Sequence, residues 1–367
     1  MVVTLLVSIG IISLIAVFLA LLMVIADATI GNYGTVKISI NDGAKDLEVQ
    51  GGQSLLKTLN QEGVFIPSAC GGRGSCGLCK VKVVQGGGTY LPTELPWISV
   101  DERKLNVRLS CQFKVKGDIS IAIPEELFSV RQFDTVVESI RDLTHDIKEV
   151  RLRLKDGGPL SAKAGQFVQF LVPAYGESDE EVYRAYSMAS PPSDSTHIEL
   201  EIRLVPNGIC TTYVHKFLKE GDAVTVNGPY GDFYLRDSDR EIICIAGGSG
   251  MAPIKSILMD MAERGIKRKS TYFFGARSKR DLFLLDEMRE LERAMPTFTF
   301  VPALSEPKPE DAWTGETGLI TNVVRNRVTN GANSEAYLCG SPGMIDACVK
   351  VLKELGVPED RIYYDKF

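Results

Sequence analysis

The sequence has no basic stripe: 41 lysines and arginines stand against 47 aspartates and glutamates over 367 residues, a net charge of −6. That balance argues against a nucleic-acid partner, whose phosphates call for clustered cations. Internal repeats and low-complexity tracts are also absent, so the chain is neither a solenoid nor a disordered linker. With 44% hydrophobic and 24% charged residues it has the composition of a folded protein. Its length calls for two or three domains. Charge and proline are both missing from Val2 to Ala26. Such a run, about 37 Å long as a helix, can cross a hydrocarbon core of about 30 Å. It has no basic segment in front and is too long for a signal peptide, although "ADA" at 26–28 weakly resembles a cleavage site. Residues 1–26 therefore read as a retained transmembrane anchor in contact with lipid, and 27–34 as a linker. The first positive charges, Lys37 and Lys45, follow the anchor, which places the bulk of the chain on the cytoplasmic side.

The eight cysteines lack the spread of a disulfide scaffold. Three fall in "SACGGRGSCGLC", as Cys70-x5-Cys76-x2-Cys79, and a fourth, Cys111, follows in "RLSCQ". Three clustered thiolates and one distant thiolate form the ligand pattern of a plant-type [2Fe–2S] centre. Glycines suit a loop that must wrap tightly and aim N–H groups at sulfur. Zinc is the alternative, but its sites usually pair two CxxC halves and here there is one. The first gap is one residue longer than the common plant spacing. Around this loop, "TVKISI", "DLEVQ", "KVKVV" and "DISIAI" alternate as strands and "SLLKTLNQEG" as one helix, which predicts a small α+β unit ending near Pro124.

From 131 to 236 short strands follow one another between turns: "KEVRLRL", "QFVQFLV", "RAYSMAS", "HIELEIRLV" and "DAVTVNGPYG". They predict an antiparallel β-barrel, with "CTTYVHKFLKEG" as its helix. "RAYSMAS" sets a cation, a ring and a hydroxyl on one strand. Arg184 can hold a cofactor phosphate, Tyr186 can pack on a ring, and Ser187 can hydrogen-bond a ring nitrogen. "NGICTTYV" then places Gly208, Thr211 and Thr212 at a helix start, an anion site suited to a pyrophosphate. An ordinary strand and a simple Thr cap are the bland readings of each alone; together they point to FAD. From 240 to 367 apolar strands alternate with helices, which predicts a doubly wound parallel α/β domain. The GxGxxG fingerprint is missing, but Gly247, Gly248 and Gly250 in "AGGSGMAP" offer the same close approach to a pyrophosphate. "CGSPGM" closes a later strand, so Cys339 and Gly340 lie at a carboxyl end where such sheets bind ligands. Cys244 and Cys348 read as core filler.

These motifs, with "GPYGDF" and "FFGARSKRDLF", stand in the order of the ferredoxin–NADP⁺ reductase superfamily. With what resembles a β-grasp ferredoxin domain (35–127) in front, the chain is similar to two groups: the F subunits of sodium-pumping NADH:quinone oxidoreductases and the reductase components of bacterial monooxygenases. The anchor, the cysteine spacing, "LTHDIKEVRLRL" and "WTGETG" look most like the F subunits, over essentially the whole chain. The segment between "QFVQFLVP" and "RAYSMAS" is shorter than in that group. The resemblance implies FAD on Arg184, Tyr186, Ser187, Thr211 and Thr212, shielded by Phe367, and NADH over Gly247 to Gly250 with Cys339 beside the nicotinamide. NADPH-using relatives carry a Ser-Arg pair where this chain has Ser305 and Glu306. A carboxylate there favours the ribose hydroxyl of NADH, although Arg277, Lys279 and Arg280 keep NADPH open. The implied activity is hydride transfer from NADH to FAD, then single electrons to the cluster and on to membrane-embedded subunits of a bacterial inner-membrane quinone reductase that exports Na⁺. A reductase feeding an oxygenase and an inert membrane-tethered scaffold are the competing uses.

Overall fold

An apolar segment in lipid can satisfy its backbone only internally, and Val2–Ile30 is one helix, α1. The computed structural model describes residues 2–30, 33–155, 159–176 and 178–366; Phe367 lies outside them. Every residue from Val7 to Val24 is exposed, and this window has a mean hydropathy of 2.9. The helix continues beyond Ala26 into the expected linker, because Asp27–Ile30 contains neither Gly nor Pro to stop it.

The chain divides into two compact units, Met1–Ser129 and Val130–Phe367. In the first, β1 (Thr35–Ile40), β2 (Lys45–Gln50), α2 (Leu55–Gln61), β3 (Lys80–Gln85), α3 (Val100–Lys104), β4 (Val107–Leu109) and β5 (Ile119–Ala122) build a sheet of order β2-β1-β5-β3-β4. Alternation in β1 turns Val36, Ile38 and Ile40 inward, where Leu55 and Leu59 of α2 cover them. Ser54 caps α2, its hydroxyl accepting from Lys57 N at 3.4 Å. Beneath β4 lies a buried ion pair: Arg108 Nη2 is 2.6 Å from Glu94 Oε2, with side-chain exposures of 4% and 0%. Glu94 also accepts from the backbone N–H groups of Leu91 and Leu109. The pair thus ties the loop before α3 to the sheet.

The second unit begins with β6 (Arg131–Asp142), β7 (Ile147–Leu154), β8 (Phe167–Val172), β9 (Val182–Ser187), β10 (His197–Arg203), α4 (Ile209–Lys216) and β11 (Ala223–Tyr230). Its strands form an antiparallel sheet of order β10-β7-β6-β11-β8-β9. The sheet curls until Met188, just past β9, bridges Leu200 of β10. Leu152, Phe170, Leu200 and Val226 fill the interior with Cys210 and Val214 of α4.

The rest of this unit comprises β12 (Glu241–Gly247), α5 (Met251–Glu263), β13 (Ser270–Ala276), α6 (Leu285–Ala294), β14 (Phe298–Leu304), β15 (Glu316–Thr317), α7 (Ile320–Arg327), β16 (Ser334–Gly340), α8 (Pro342–Glu354) and β17 (Ile362–Lys366). All strand pairs are parallel, in the order β15-β14-β13-β12-β16-β17. One face packs on α5 and α6 through Cys244, Ile257 and Met288; the other packs on α7 and α8 through Ile245, Val324 and Cys348. Strand order reverses between β12 and β16, the switch point at which such sheets open a crevice.

Replacing Glu94 with Gln should destabilise the first unit by about 3–5 kcal/mol, since it strands a buried guanidinium. Burial alone would raise the Glu94 pKa, but Arg108 and the two backbone donors hold it below the ordinary carboxylate value. Its contribution is therefore full above the unfolded-state pKa and is lost as pH falls through the folded one. Denaturant unfolding of wild type and E94Q at several pH values checks both points, and their midpoints should converge in acid.

Candidate active site

The four cysteines predicted to hold a cluster lie in the first unit as two thiol pairs, and Cys70 acts electrostatically on Cys111. Gly71, Gly72, Gly74 and Gly77 all have positive φ, so the chain from 70 to 79 wraps as only glycine does without strain. A Cβ at Gly77 would stand 2.9 Å from the Trp97 ring, and one at Gly74 would stand 2.7 Å from Gln112 Nε2. The thiols of Cys70 and Cys76 share a hydrogen bond, as do those of Cys79 and Cys111. Loop N–H groups point at sulfur: Ser75 and Arg73 donate to Cys70, Leu78 to Cys76, and Gly74 to Cys111. The Cys76 thiol and these donors lower the Cys70 thiol to about 4; the Cys79 thiol does most to lower Cys111 to about 7. Donors aimed at sulfur are what a bound thiolate set requires, so the residues fit a [2Fe–2S] cluster. Cys79 and Cys111 are buried, whereas Cys70 and Cys76 are half-buried.

In the second unit Arg184, Tyr186 and Ser187 lie on β9, paired in register with Phe170, Val168 and Phe167 of β8. The Tyr186 ring meets Phe170 edge-on at 6.3 Å. Its hydroxyl engages the thiol of Cys210, and burial pushes the phenol up and that thiol up to about 12. Cys210 is thus the contact joining β9 to the start of α4, a role its sequence neighbours do not reveal. Gly208 begins α4 without a side-chain cap, which leaves the first-turn N–H groups for an anion. Thr211 is not free for a ligand. Its hydroxyl accepts from Val205 N at 3.1 Å and fixes the turn, and a Cβ on Gly208 would approach it to 2.5 Å. Thr212 is buried beside it. A ring, a cation, a hydroxyl and an uncapped helix start form a set that fits FAD.

Across the switch point, the turn at Gly247, Gly248 and Gly250 leads from β12 into α5. A Cβ at Gly250 would fall 2.2 Å from the Cys339 carbonyl oxygen, so the turn lies directly on the end of β16. Gly340 has φ +145°, and a side chain there would meet Met344 at 2.9 Å and the Gly247 carbonyl at 3.3 Å. Gly248, at φ +58°, faces Arg203 at the end of β10. The Cys339 thiol is fully buried, and burial, with Asp365 and Glu201 nearby, pushes its pKa well up; it is a neutral thiol. Glu306 sits beyond β14 at the same carboxyl edge. Its carboxylate is 3.3 Å from Arg277 Nε, so the residue expected to discriminate against a phosphate also neutralises the nearest cation. These groups lie at the carboxyl ends of the parallel strands, where such sheets bind ligands, and fit a pyridine nucleotide.

Matches to domain models follow the same division: a 2Fe-2S iron-sulfur cluster binding domain at 38–116, an oxidoreductase FAD-binding domain at 134–234 and an oxidoreductase NAD-binding domain at 244–350. Among solved structures, the chain resembles the Amycolatopsis cytochrome P450 reductase GcoB, with TM-score 0.72 and 30% identity over 91% of this chain and 99% of that one. It also resembles the ferredoxin reductase in carbazole 1,9a-dioxygenase, with TM-score 0.69 and 27% identity over 91% and 98%. The fold and site therefore define an NADH-dependent flavin oxidoreductase with its own [2Fe–2S] domain. The chain is 39% identical to the F subunit of the Na(+)-translocating NADH-quinone reductase of Neisseria meningitidis FAM18, over 97% of each chain, and 38% identical to that of Serratia proteamaculans, over 96% and 97%. It belongs to this family of F subunits.

Replacing Gly250 with Ala should force the turn off β16, costing about 1–3 kcal/mol of stability and weakening NADH binding. Thermal unfolding and an NADH titration of the flavin spectrum measure the two effects.

Proposed function

We propose that this chain is the NADH-oxidising electron-entry subunit of a membrane quinone reductase that exports Na⁺. Residues 1–26 anchor it singly in a bacterial inner membrane, and the ferredoxin domain (35–127), FAD barrel (131–236) and NADH domain (240–367) face the cytoplasm. Its immediate partners are membrane-embedded subunits of the same complex. The observation that carries this reading is the fully exposed apolar stretch of α1 in front of three cofactor domains. The second reading, a reductase for an oxygenase, has the names of the two structural neighbours in its favour. Oxygenase reductases are mostly soluble and need no such helix.

When bound, the flavin converts a two-electron hydride donor into a source of single electrons, which the cluster can carry. The protein's work is positioning. Tyr186, braced by Phe170 and Cys210, offers a ring face for the isoalloxazine, and Ser187 at the end of β9 offers its hydroxyl to a ring nitrogen. Arg184, Gly208 and the start of α4 take the pyrophosphate, with Thr211 and Thr212 shaping the turn. Gly247, Gly248, Gly250 and Gly340 let the dinucleotide backbone approach the sheet edge, and Glu306 accepts from a ribose hydroxyl. Cys339, uncharged and dry, packs beside the nicotinamide and excludes water. Donor carbon and acceptor nitrogen must meet at about 3–3.5 Å for transfer. Cys70, Cys76, Cys79 and Cys111 hold the cluster.

Replacing Cys76 with Ala should abolish reduction of an external acceptor while leaving NADH-driven flavin bleaching largely intact; loss of both would mean that the domains do not act in series. Affinity purification of the chain from detergent-solubilised native membranes tests the partners. Multi-span subunits should co-purify, and recovery of an oxygenase instead would transfer the assignment to the second reading.

A further inference from the structure

Lys255 lies on α5, one turn beyond the glycine-rich segment, where a helix side chain would ordinarily be apolar or solvated. Its side chain is only 5% exposed, and Nζ stands 3.0 Å from Glu199 of β10, 3.4 Å from Glu287 of α6 and 3.7 Å from Glu149 of β7. Burial alone would lower its pKa, but Glu199, Glu201 and Glu287 outweigh it and push it up to about 12, so it stays charged. The next residue, Ser256, donates to the Ser190 carbonyl at 2.7 Å, also buried. Two consecutive residues of α5 are therefore tied to the barrel. The turn they follow is the one pressed onto Cys339.

Beside this peg is Glu201 of β10, 3% exposed, and neither carboxylate oxygen has a hydrogen-bond partner among the described residues. The groups facing it are Lys255 from α5, Glu149 from β7, Glu199 from its own strand, Glu287 from α6, and the Tyr272 phenol and Cys339 thiol from β13 and β16. The nearby cations are committed elsewhere: Arg141 binds Glu149 and Glu287, and Arg151 binds Glu199, Glu138 and Asp194. We propose that Lys255 and Glu201 are positioning residues for hydride transfer: Lys255 pegs the nucleotide-binding turn to the flavin barrel, and Glu201, buried beside it, keeps the packing around the peg intact.

Burial pushes the Glu201 pKa up from 4.5; Lys255 opposes it, and Glu149, Glu199 and Glu287 reinforce it, so that it reaches about 8. At neutral pH it is an uncharged acid, which its dry surroundings tolerate. Ionisation near pH 8 releases the proton to solvent and adds a fourth negative charge to the seam, repelling Glu149, Glu199 and Glu287 and loosening the peg. Between about pH 4.5 and 8 the folded chain holds a proton that the unfolded chain has lost, so stability declines as pH rises through that window.

The proposal rests on the flavin and nucleotide placement given under Proposed function, and the test separates the two. Full-length protein in detergent is studied as wild type, E201Q, K255M and K255R. Without cofactors, infrared titration should show a protonated-carboxyl band at pH 7 that disappears near pH 8 and is missing in E201Q; its absence from wild type overturns the proposal. With FAD and cluster loaded, stopped-flow bleaching at saturating NADH should slow in wild type above pH 8, with no such alkaline limb in E201Q. K255M should lower the limiting rate by about 10²-fold with little change in the NADH dissociation constant, and K255R should recover most of it. An E201Q profile superimposed on wild type, or K255M bleaching at the wild-type rate, overturns the proposal. Failure of NADH to bleach wild type at any pH overturns the functional reading instead, and the infrared band then decides Glu201 alone.

Discussion

The contact on which the second unit depends is that of Gly250 with the Cys339 carbonyl. A Cβ there would sit 2.2 Å from the oxygen, well inside van der Waals distance, so only glycine lets α5 start against the end of β16. That approach sets the crevice at the strand-order reversal. It also carries α5 to the point where Lys255 and Ser256 reach the barrel. Crevice geometry and barrel placement therefore follow from one missing methyl group.

The eight cysteines show how environment rather than residue type decides chemistry. Four lie where N–H groups are aimed at sulfur; Cys70 and Cys111 are lowered, while their thiol partners Cys76 and Cys79 are raised. Cys244 and Cys348 are fully buried, and burial pushes both up to about 12; they fill space. Cys210 braces Tyr186, and Cys339 is a neutral thiol at the crevice floor. Spacing distinguishes the first four from the rest. It does not distinguish Cys210 from Cys244, because that difference depends on which strand lies across from each.

Legibility in the sequence followed periodicity. Strands with strict alternation (β1, β10) or continuous apolar runs (β12, β14, β16) were readable, as were α2, α5 and α8 from their apolar faces and stops. The twelve-residue β6 was not anticipated: "RQFDTVVESIRD" scatters charges because much of it faces solvent, so no face reads as core. β17, "IYYDK", is a short edge strand whose pairing with β16 supplies its order. α3, "VDERK", buries nothing and is held by a Ser99–Glu102 capping box instead. In the site, the glycines and cluster ligands were legible because their constraint is local. The occupied hydroxyl of Thr211 and the Arg277 partner of Glu306 were not, since each depends on a neighbour the sequence does not place.

The charged seam is the extreme case of such dependence. Read along the chain, Lys255, Glu149, Glu199 and Glu201 look like solvated positions; only folding places them together in the interior. An apolar seam of the same volume is often as stable, because taking Lys255, Glu149 and Glu199 out of water carries a desolvation cost that their pairing must offset. What an apolar seam lacks is register: a greasy interface slides with little penalty, whereas a lysine held among Glu199, Glu287 and Glu149 has one place to be. A misplacement of about 1 Å can cost about 10²-fold in rate, so register between the barrel and the nucleotide-binding turn matters to hydride transfer. Glu201 is tolerated in that seam because, protonated, it adds volume without charge.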